Sequence, residues 1–272
     1  MTSLDDASPL TRVNEWRFAT QMSPGWCIGR YANGGYLQSV TTRALGLAFP
    51  HPYALTSTGY FLLPVEAGPA EIEIEPVRTG RTLTRATARL LQAGEERFRV
   101  MATLGKLPPT MKPLYQAEPD LKLAPIGDCV SHVLGTPDGN SAPIRERYDT
   151  RYDPDSVGWA TGSPTGVPSM SAWVRARDGS DPDMHALPVI ADAMPCTGFE
   201  LGFRSRINTV ELTVQLRARP ARGWLRCRWN SRLVGDGWMD EDCEMWDSTG
   251  RLVATTRQFA MLPNDPDAAL RA

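Results

Sequence analysis

From Gly35 to about Phe49 apolar residues recur at helical spacing, with Leu37, Val40, Ala44, Leu47 and Ala48 on one face, and Pro50 and Pro52 end the run. Four strand-like runs follow, at 55–63, 70–77, 81–91 and 96–104, and Gly68-Pro69, Thr79-Gly80 and Ala93-Gly94 supply the turns between them. In the second run Ile72 and Ile74 alternate with Glu71, Glu73 and Glu75, as in a sheet with one wet face. The pattern dissolves after Leu107, in a stretch carrying prolines at 108, 109, 113, 119, 125 and 137. So long a structureless stretch does not fit inside one compact domain and reads as a connection.

Beyond it the first pattern returns. Runs at 144–152 and 171–176 read as strands around a loop rich in Gly, Ser and Pro. Asp181-Pro182 then opens a helix, with Asp181 as cap and Pro182 in the first turn, continuing to about Met194. Strand runs follow at 209–216, 224–234, 238–246 and 251–261. Both halves thus share one order, a helix and then four antiparallel strands, and a period near half the chain points to duplication. The expected division is 1–106, a Pro-rich connection at 107–140, and 141–272. One long helix for every four or five strands calls for a curled antiparallel sheet wrapped around that helix, because the sheet must bury one face. The fold class is α+β.

Composition narrows the function without naming it. An apolar fraction of 42% is that of an ordinary globular protein, and a net charge of −2 from 29 basic and 31 acidic residues lacks the basic footprint of a nucleic-acid binder. No polybasic patch or long apolar run points to a membrane. The cysteines at 27, 129, 196, 227 and 243 form no Cys-x-x-Cys pair and have only three histidines for company, so neither disulfides nor a zinc site is expected. The acidic start, with Asp5 and Asp6, is no signal peptide, and a reducing cytoplasm is the simplest home.

Several short motifs, taken in order, resemble the acyl-CoA thioesterase II-like double-hotdog proteins. They are Asn33-Gly34-Gly35-Tyr36 opening the first helix, the stretch 59–64 (Gly-Tyr-Phe-Leu-Leu-Pro), and 77–84 (Val-Arg-Thr-Gly-Arg-Thr-Leu-Thr) followed by 91–94 (Leu-Gln-Ala-Gly). In the second half they are 172–176 (Ala-Trp-Val-Arg-Ala), 190–192 (Ile-Ala-Asp), 209–213 (Thr-Val-Glu-Leu-Thr) and 254–258 (Ala-Thr-Thr-Arg-Gln). The resemblance implies two tandem hotdog repeats and hydrolysis of a fatty acyl-CoA thioester, with no metal or other cofactor. It assigns the positioning of the attacking water to Asp192, Thr209 and Gln258. It also implies a homo-oligomer, because hotdog sheets commonly associate further. The chain departs from better-known members in carrying Glu211-Leu212-Thr213 after the threonine, and in a short loop between Asp192 and Thr209.

Thioester hydrolysis needs a group to take the water proton and donors for the developing oxyanion. Asp192, among Ile190, Ala191, Ala193 and Met194 near the end of its helix, has surroundings that oppose ionisation and raise a pKa. The plain alternative is a solvent-facing helix aspartate. Gln258 shares a strand face with Leu252, Ala254, Thr256, Ala260 and Leu262, where a polar amide wants a partner. Period two puts Thr209 on the face of Glu211 and Thr213, opposite Val210 and Leu212. Gly34 and Gly35, with Tyr36, are candidate oxyanion or substrate contacts, since bare N–H groups at a helix start can polarise a carbonyl. The alternative is a turn before a closely packed helix. Two other classes remain: a non-hydrolytic binder of acyl-CoA or acyl-carrier thioesters, and a hotdog hydratase. The second would pair an aspartate with a later histidine, and none follows His185.

Overall fold

The computed structural model describes residues 4–108, 112–117, 119, 121–131, 136 and 139–263. The first half begins with β1 (Thr11–Asn14) and β2 (Arg17–Met22), passes through helix α1 (Gly34–Ala48), and continues in β3 (Tyr53–Phe61), β4 (Gly68–Thr79), β5 (Thr84–Gln92) and β6 (Glu95–Gly105). The second half repeats this with β7 (Tyr148–Tyr152), β8 (Ser169–Ala176), α2 (Ala186–Ala193), β9 (Asn208–Leu216), β10 (Leu225–Asn230), β11 (Trp238–Trp246) and β12 (Leu252–Met261). All these strands join one antiparallel sheet in the order β1-β2-β4-β5-β6-β3-β9-β12-β11-β10-β8-β7. The order reads the same outward from the β3–β9 seam in both directions, which is the α+β double-hotdog arrangement.

Each strand turns alternate residues inward. Ala86, Ala88 and Leu90 of β5 and Phe98, Val100, Ala102 and Leu104 of β6 are buried, while Arg85, Arg89 and Arg99 face out. Helix α1 is buried along most of its length, at Tyr36, Leu37, Gln38, Ser39, Val40, Thr41, Ala44 and Leu45, as a helix enclosed by a curled sheet must be. Across the seam Thr56–Tyr60 pair with Glu211–Gln215, and one hydrophobic core runs through both halves.

Three expectations are corrected. The first half opens with β1, exposed throughout, and β2, which buries Phe18, Thr20 and Met22; neither was expected, so the duplication is fuller than a helix and four strands. Helix α2 starts at Ala186, not at Pro182. Asp183 is the residue whose carboxylate accepts the His185 and Ala186 N–H groups, at 2.9 and 2.8 Å, while Asp181 bonds the Gly223 N–H. The expected strand at 144–152 is a short 3-10 turn at Pro143–Arg147 followed by β7. The described part of the 107–140 connection is not loose chain: Ala124 bonds Asp153 and Trp173, Val130 pairs with Tyr152, and Gln116 bonds Gly250 and Leu252.

Candidate active site

Helices α1 and α2 touch where α1 begins. Gly35 makes this contact: a Cβ there would land on the Pro188 carbonyl oxygen and 3.0 Å from the Asp192 Cβ. Asn33 caps α1, its Oδ1 accepting the Tyr36 N–H at 3.0 Å. That bond fixes which way the amide faces, so Nδ2 points across to α2 and donates to Asp192 Oδ2 at 2.7 Å and to the Asp192 carbonyl at 2.9 Å. The Gly35 N–H also donates to Asp192 Oδ2, at 2.9 Å. The carboxylate of the second half is therefore held by the helix N-terminus of the first.

Burial pushes the Asp192 carboxyl up from 3.8 to about 6, and the nearby Glu241 carboxylate pushes the same way, against the bonds from Gly35, Gly34 and Asn33. Asp192 as a whole residue is half-buried.

Thr209 and Gln258 meet directly, the threonine hydroxyl donating to Gln258 Oε1 at 2.9 Å. A β-bulge makes this contact. The β9–β12 register pairs Thr209 with Ala260 and Glu211 with Phe259, so Val210 is the extra residue, and Thr209 faces inward with Gln258, not outward with Glu211 and Thr213. Strict alternation had placed it on the wrong face. Gln258 is buried, as its face of β12 predicted, and its Nε2 donates to Glu241 Oε1 at 2.6 Å. Glu241 lies directly across the β11–β12 ladder and is itself buried. Its Oε2 accepts the Thr197 N–H at 2.6 Å and the Thr197 hydroxyl at 2.7 Å. Burial raises its pKa against these bonds.

The site residues thus fall into two directly bonded groups, Asp192 with Asn33 and Gly35, and Thr209 with Gln258 and Glu241. They are neighbours through the charges of Asp192 and Glu241 and through Cys196, which lies beside both carboxylates. No described hydrogen bond joins Asp192 to Thr209 or Gln258. Two of the N-terminal candidates serve other ends. The Gly35 N–H is occupied by Asp192. Tyr36 is fully buried, with its hydroxyl bonded to Ser8 and the Ser23 N–H, which makes it a core residue. Gly34 sits in a crowded place, where a Cβ would meet the Phe61 ring at 2.8 Å and Asp192 Oδ2 at 3.0 Å.

Asn33 and Glu241 were not singled out from the sequence. Glu241 had a signal: it shares strand parity with Met239, Cys243 and Met245, an acid on an otherwise apolar face. Glu211 and Thr213, two of the three departures noted after Thr209, bond each other and line an outward concavity of about 610 Å³ with Arg228, Arg257 and Asp242, while the third, Leu212, is buried opposite Gln258. That concavity is polar and touches none of the three candidate residues, so its size does not make it the site. A small cavity of about 10 Å³ lies between α1, α2 and the seam, beside Ser57 and Pro188. Among the described residues no group of three or more His, Cys, Asp or Glu is placed to hold a metal ion, and no helix is long and apolar enough to cross a membrane.

Two family models match the chain: an acyl-CoA thioesterase N-terminal domain over residues 22–105 and an acyl-CoA thioesterase C-terminal domain over 127–262. The crystal structure of a "putative thioesterase II" from Thermobifida fusca superposes with a TM-score of 0.88 at 35% identity, covering 97% of this chain and 98% of that one. A hot dog fold protein of unknown function from Alicyclobacillus acidocaldarius is similar in fold, with a TM-score of 0.82 at 23% identity over 96% of this chain and 97% of that one. An uncharacterised protein of Mycobacterium tuberculosis is 28% identical over 287 residues, covering 95% of this chain and 94% of its own.

Proposed function

The chain belongs to the acyl-CoA thioesterase family, and from that premise we propose that it hydrolyses an acyl-CoA thioester to the free acid and thiol, with Asp192 as general base for a water positioned by Thr209 and Gln258. The observation that carries this is the Asp192 carboxyl, held by Asn33 and Gly35 yet pushed up to about 6, a base matched to neutral pH.

The hydrogen-bond directions support a division of the remaining roles. The Thr209 proton lies on Gln258 Oε1, so the Thr209 oxygen keeps its lone pairs for a hydrogen of the water. One Gln258 N–H is taken by Glu241, which leaves the other as a donor for the water oxygen or the thioester carbonyl. Asp192 takes the second water proton as the water oxygen bonds to the carbonyl carbon. The tetrahedral intermediate then collapses with loss of the C–S bond, and the thiolate recovers that proton from Asp192.

Of the departures after Thr209, Glu211 and Thr213 face the outward concavity, while Leu212 is buried and pairs with Gln258 across the β9–β12 ladder; the alternative reading is a non-hydrolytic binder of acyl thioesters. The test is thiol release across a ladder of acyl-CoA chain lengths, for the native protein and for Asp192→Ala. The expected result is turnover of at least one acyl-CoA, with kcat lowered about 10²–10⁴-fold in the variant. Unchanged turnover in Asp192→Ala rejects the assignment, and tight acyl-CoA binding with no thiol released from any substrate selects a binding module.

A further inference from the structure

Glu241 is a buried carboxylate whose described partners are all neutral donors. Gln258 Nε2 reaches one oxygen, and the backbone N–H and hydroxyl of Thr197 reach the other. Ser231 completes the chain. The Thr197 proton is committed to Glu241, so Thr197 Oγ1 accepts from the Ser231 hydroxyl at 2.7 Å. Every donor in this network points toward Glu241: Ser231 to Thr197, Thr197 to Glu241, and Gln258 to Glu241. A carboxylate without a cation is expensive to bury, and the same hydrogen-bond count is within reach of neutral side chains. What a neutral side chain does not supply is an acceptor on both oxygens at once.

That property has a consequence at Thr209. An amide side chain can present either its oxygen or its nitrogen to a neighbour, and only its partners decide which. An ionised carboxylate accepts and never donates. Both Glu241 oxygens act as acceptors here, which directs the Gln258 nitrogen toward β11 and the Gln258 oxygen toward Thr209, and the Thr209 hydroxyl in turn donates. We propose that Glu241 is the positioning residue that sets the polarity of the Gln258 amide, and through it turns the oxygen lone pairs of Thr209 toward the attacking water. This rests on the assignment of Asp192, Thr209 and Gln258 to hydrolysis. A glutamine at 241 keeps the shape but has one acceptor only. If that oxygen stays with Thr197, its amide nitrogen faces Gln258, the Gln258 amide turns over, and Thr209 presents its proton to the water in place of its lone pairs.

Glu241 also stands close enough to Asp192 for its charge to oppose ionisation there. The other groups facing Asp192 are the neutral donors of Asn33, Gly34 and Gly35. Cys196, next to both carboxylates, has its thiol pushed far up by burial and carries no charge at neutral pH. Removing the Glu241 charge therefore eases loss of the Asp192 proton.

The experiment compares Glu241→Gln, Asp192→Asn, Thr209→Ala and the double variant Glu241→Gln with Thr209→Ala, each folded by circular dichroism, in kcat, KM and pH profile. Expected for Glu241→Gln are a kcat about 10–100-fold lower with KM little changed, and an acid limb of kcat/KM moved to lower pH. The double variant should be little slower than the worse single one. Native kcat and an unmoved limb in Glu241→Gln, with Asp192→Asn inactive, overturn the role of Glu241 alone, as do fully multiplicative losses in the double variant. Full activity in Asp192→Asn overturns the hydrolytic assignment and this proposal with it. If Glu241→Gln does not fold, the native protein still decides. Its Gln258 side-chain amide should give one NMR proton shifted downfield by the charge-assisted bond, and two ordinary amide protons overturn the proposal.

Discussion

At the scale of single residues, the site is governed by how few donors each carboxylate finds inside the protein. Among the described residues Asp192 is not paired with a cation. Its bonds to Gly35 and Asn33 recover part of what burial takes away, and the balance leaves its carboxyl at about 6. The sign of the pH dependence follows. A base must be ionised, and a raised pKa means that the proton is held until the pH exceeds about 6, so kcat/KM for thiol release should fall about tenfold per pH unit below that point and level off above it. A profile flat down to pH 4.5 would mean that Asp192 is not the titrating base. The tryptophans of the second half serve packing. Trp229 and Trp246 are buried in the sheet, with the Trp229 indole bonded to the Ala191 carbonyl, while Trp238 is half-exposed and stacked on Phe259.

At the scale of elements, two local irregularities build the site. The bulge in β9 turns Thr209 inward, and the crossing of α1 over α2 brings a capping asparagine and a helix N-terminus onto Asp192. The crossing depends on Gly35, because the neighbour across it is backbone and has no side chain that could swing away. Gly35→Ala should lower stability by about 1–3 kcal/mol through overpacking, read by urea unfolding, and should lower kcat as Asp192 is pushed aside. Native stability together with native turnover would contradict so close a contact. The position of α2 carries the same lesson. Asp181-Pro182 has the composition of a helix start, yet the Asp181 carboxylate is taken up by Arg222 and Gly223, and it is Asp183 that accepts the His185 and Ala186 N–H groups at the start of α2.

At the scale of the whole molecule, the two halves are joined by a continuous ladder and share a core. The seam pairs β3 with β9, with Thr58 and Thr213 bonded across it at 2.9 Å, and the two helices meet beneath. Breaking this junction exposes backbone groups and apolar surface together. The chain should therefore unfold as one unit. Tryptophan fluorescence reports on both halves, from Trp26 in the first and from Trp229 and Trp246 in the second, and its denaturation curve should coincide with far-ultraviolet circular dichroism. Two separated transitions would show that the seam does not couple them.

The sequence by itself determined the central helix and the four strands after it in each half, the duplication and the inward face of β12, because helical and alternating periodicities are local and each half repeats them. It also carried Asp192, Thr209 and Gln258 as candidates, through resemblance more than through pattern. Only the tertiary structure decided which way Thr209 points, since a bulge shifts alternation by one residue without leaving a compositional trace. Only it placed Asn33 and Gly35 on a carboxylate 157 to 159 residues away and Glu241 against Gln258. Those contacts are set by strand register and by helix crossing, which arise when two faces pack and are not written in either segment alone.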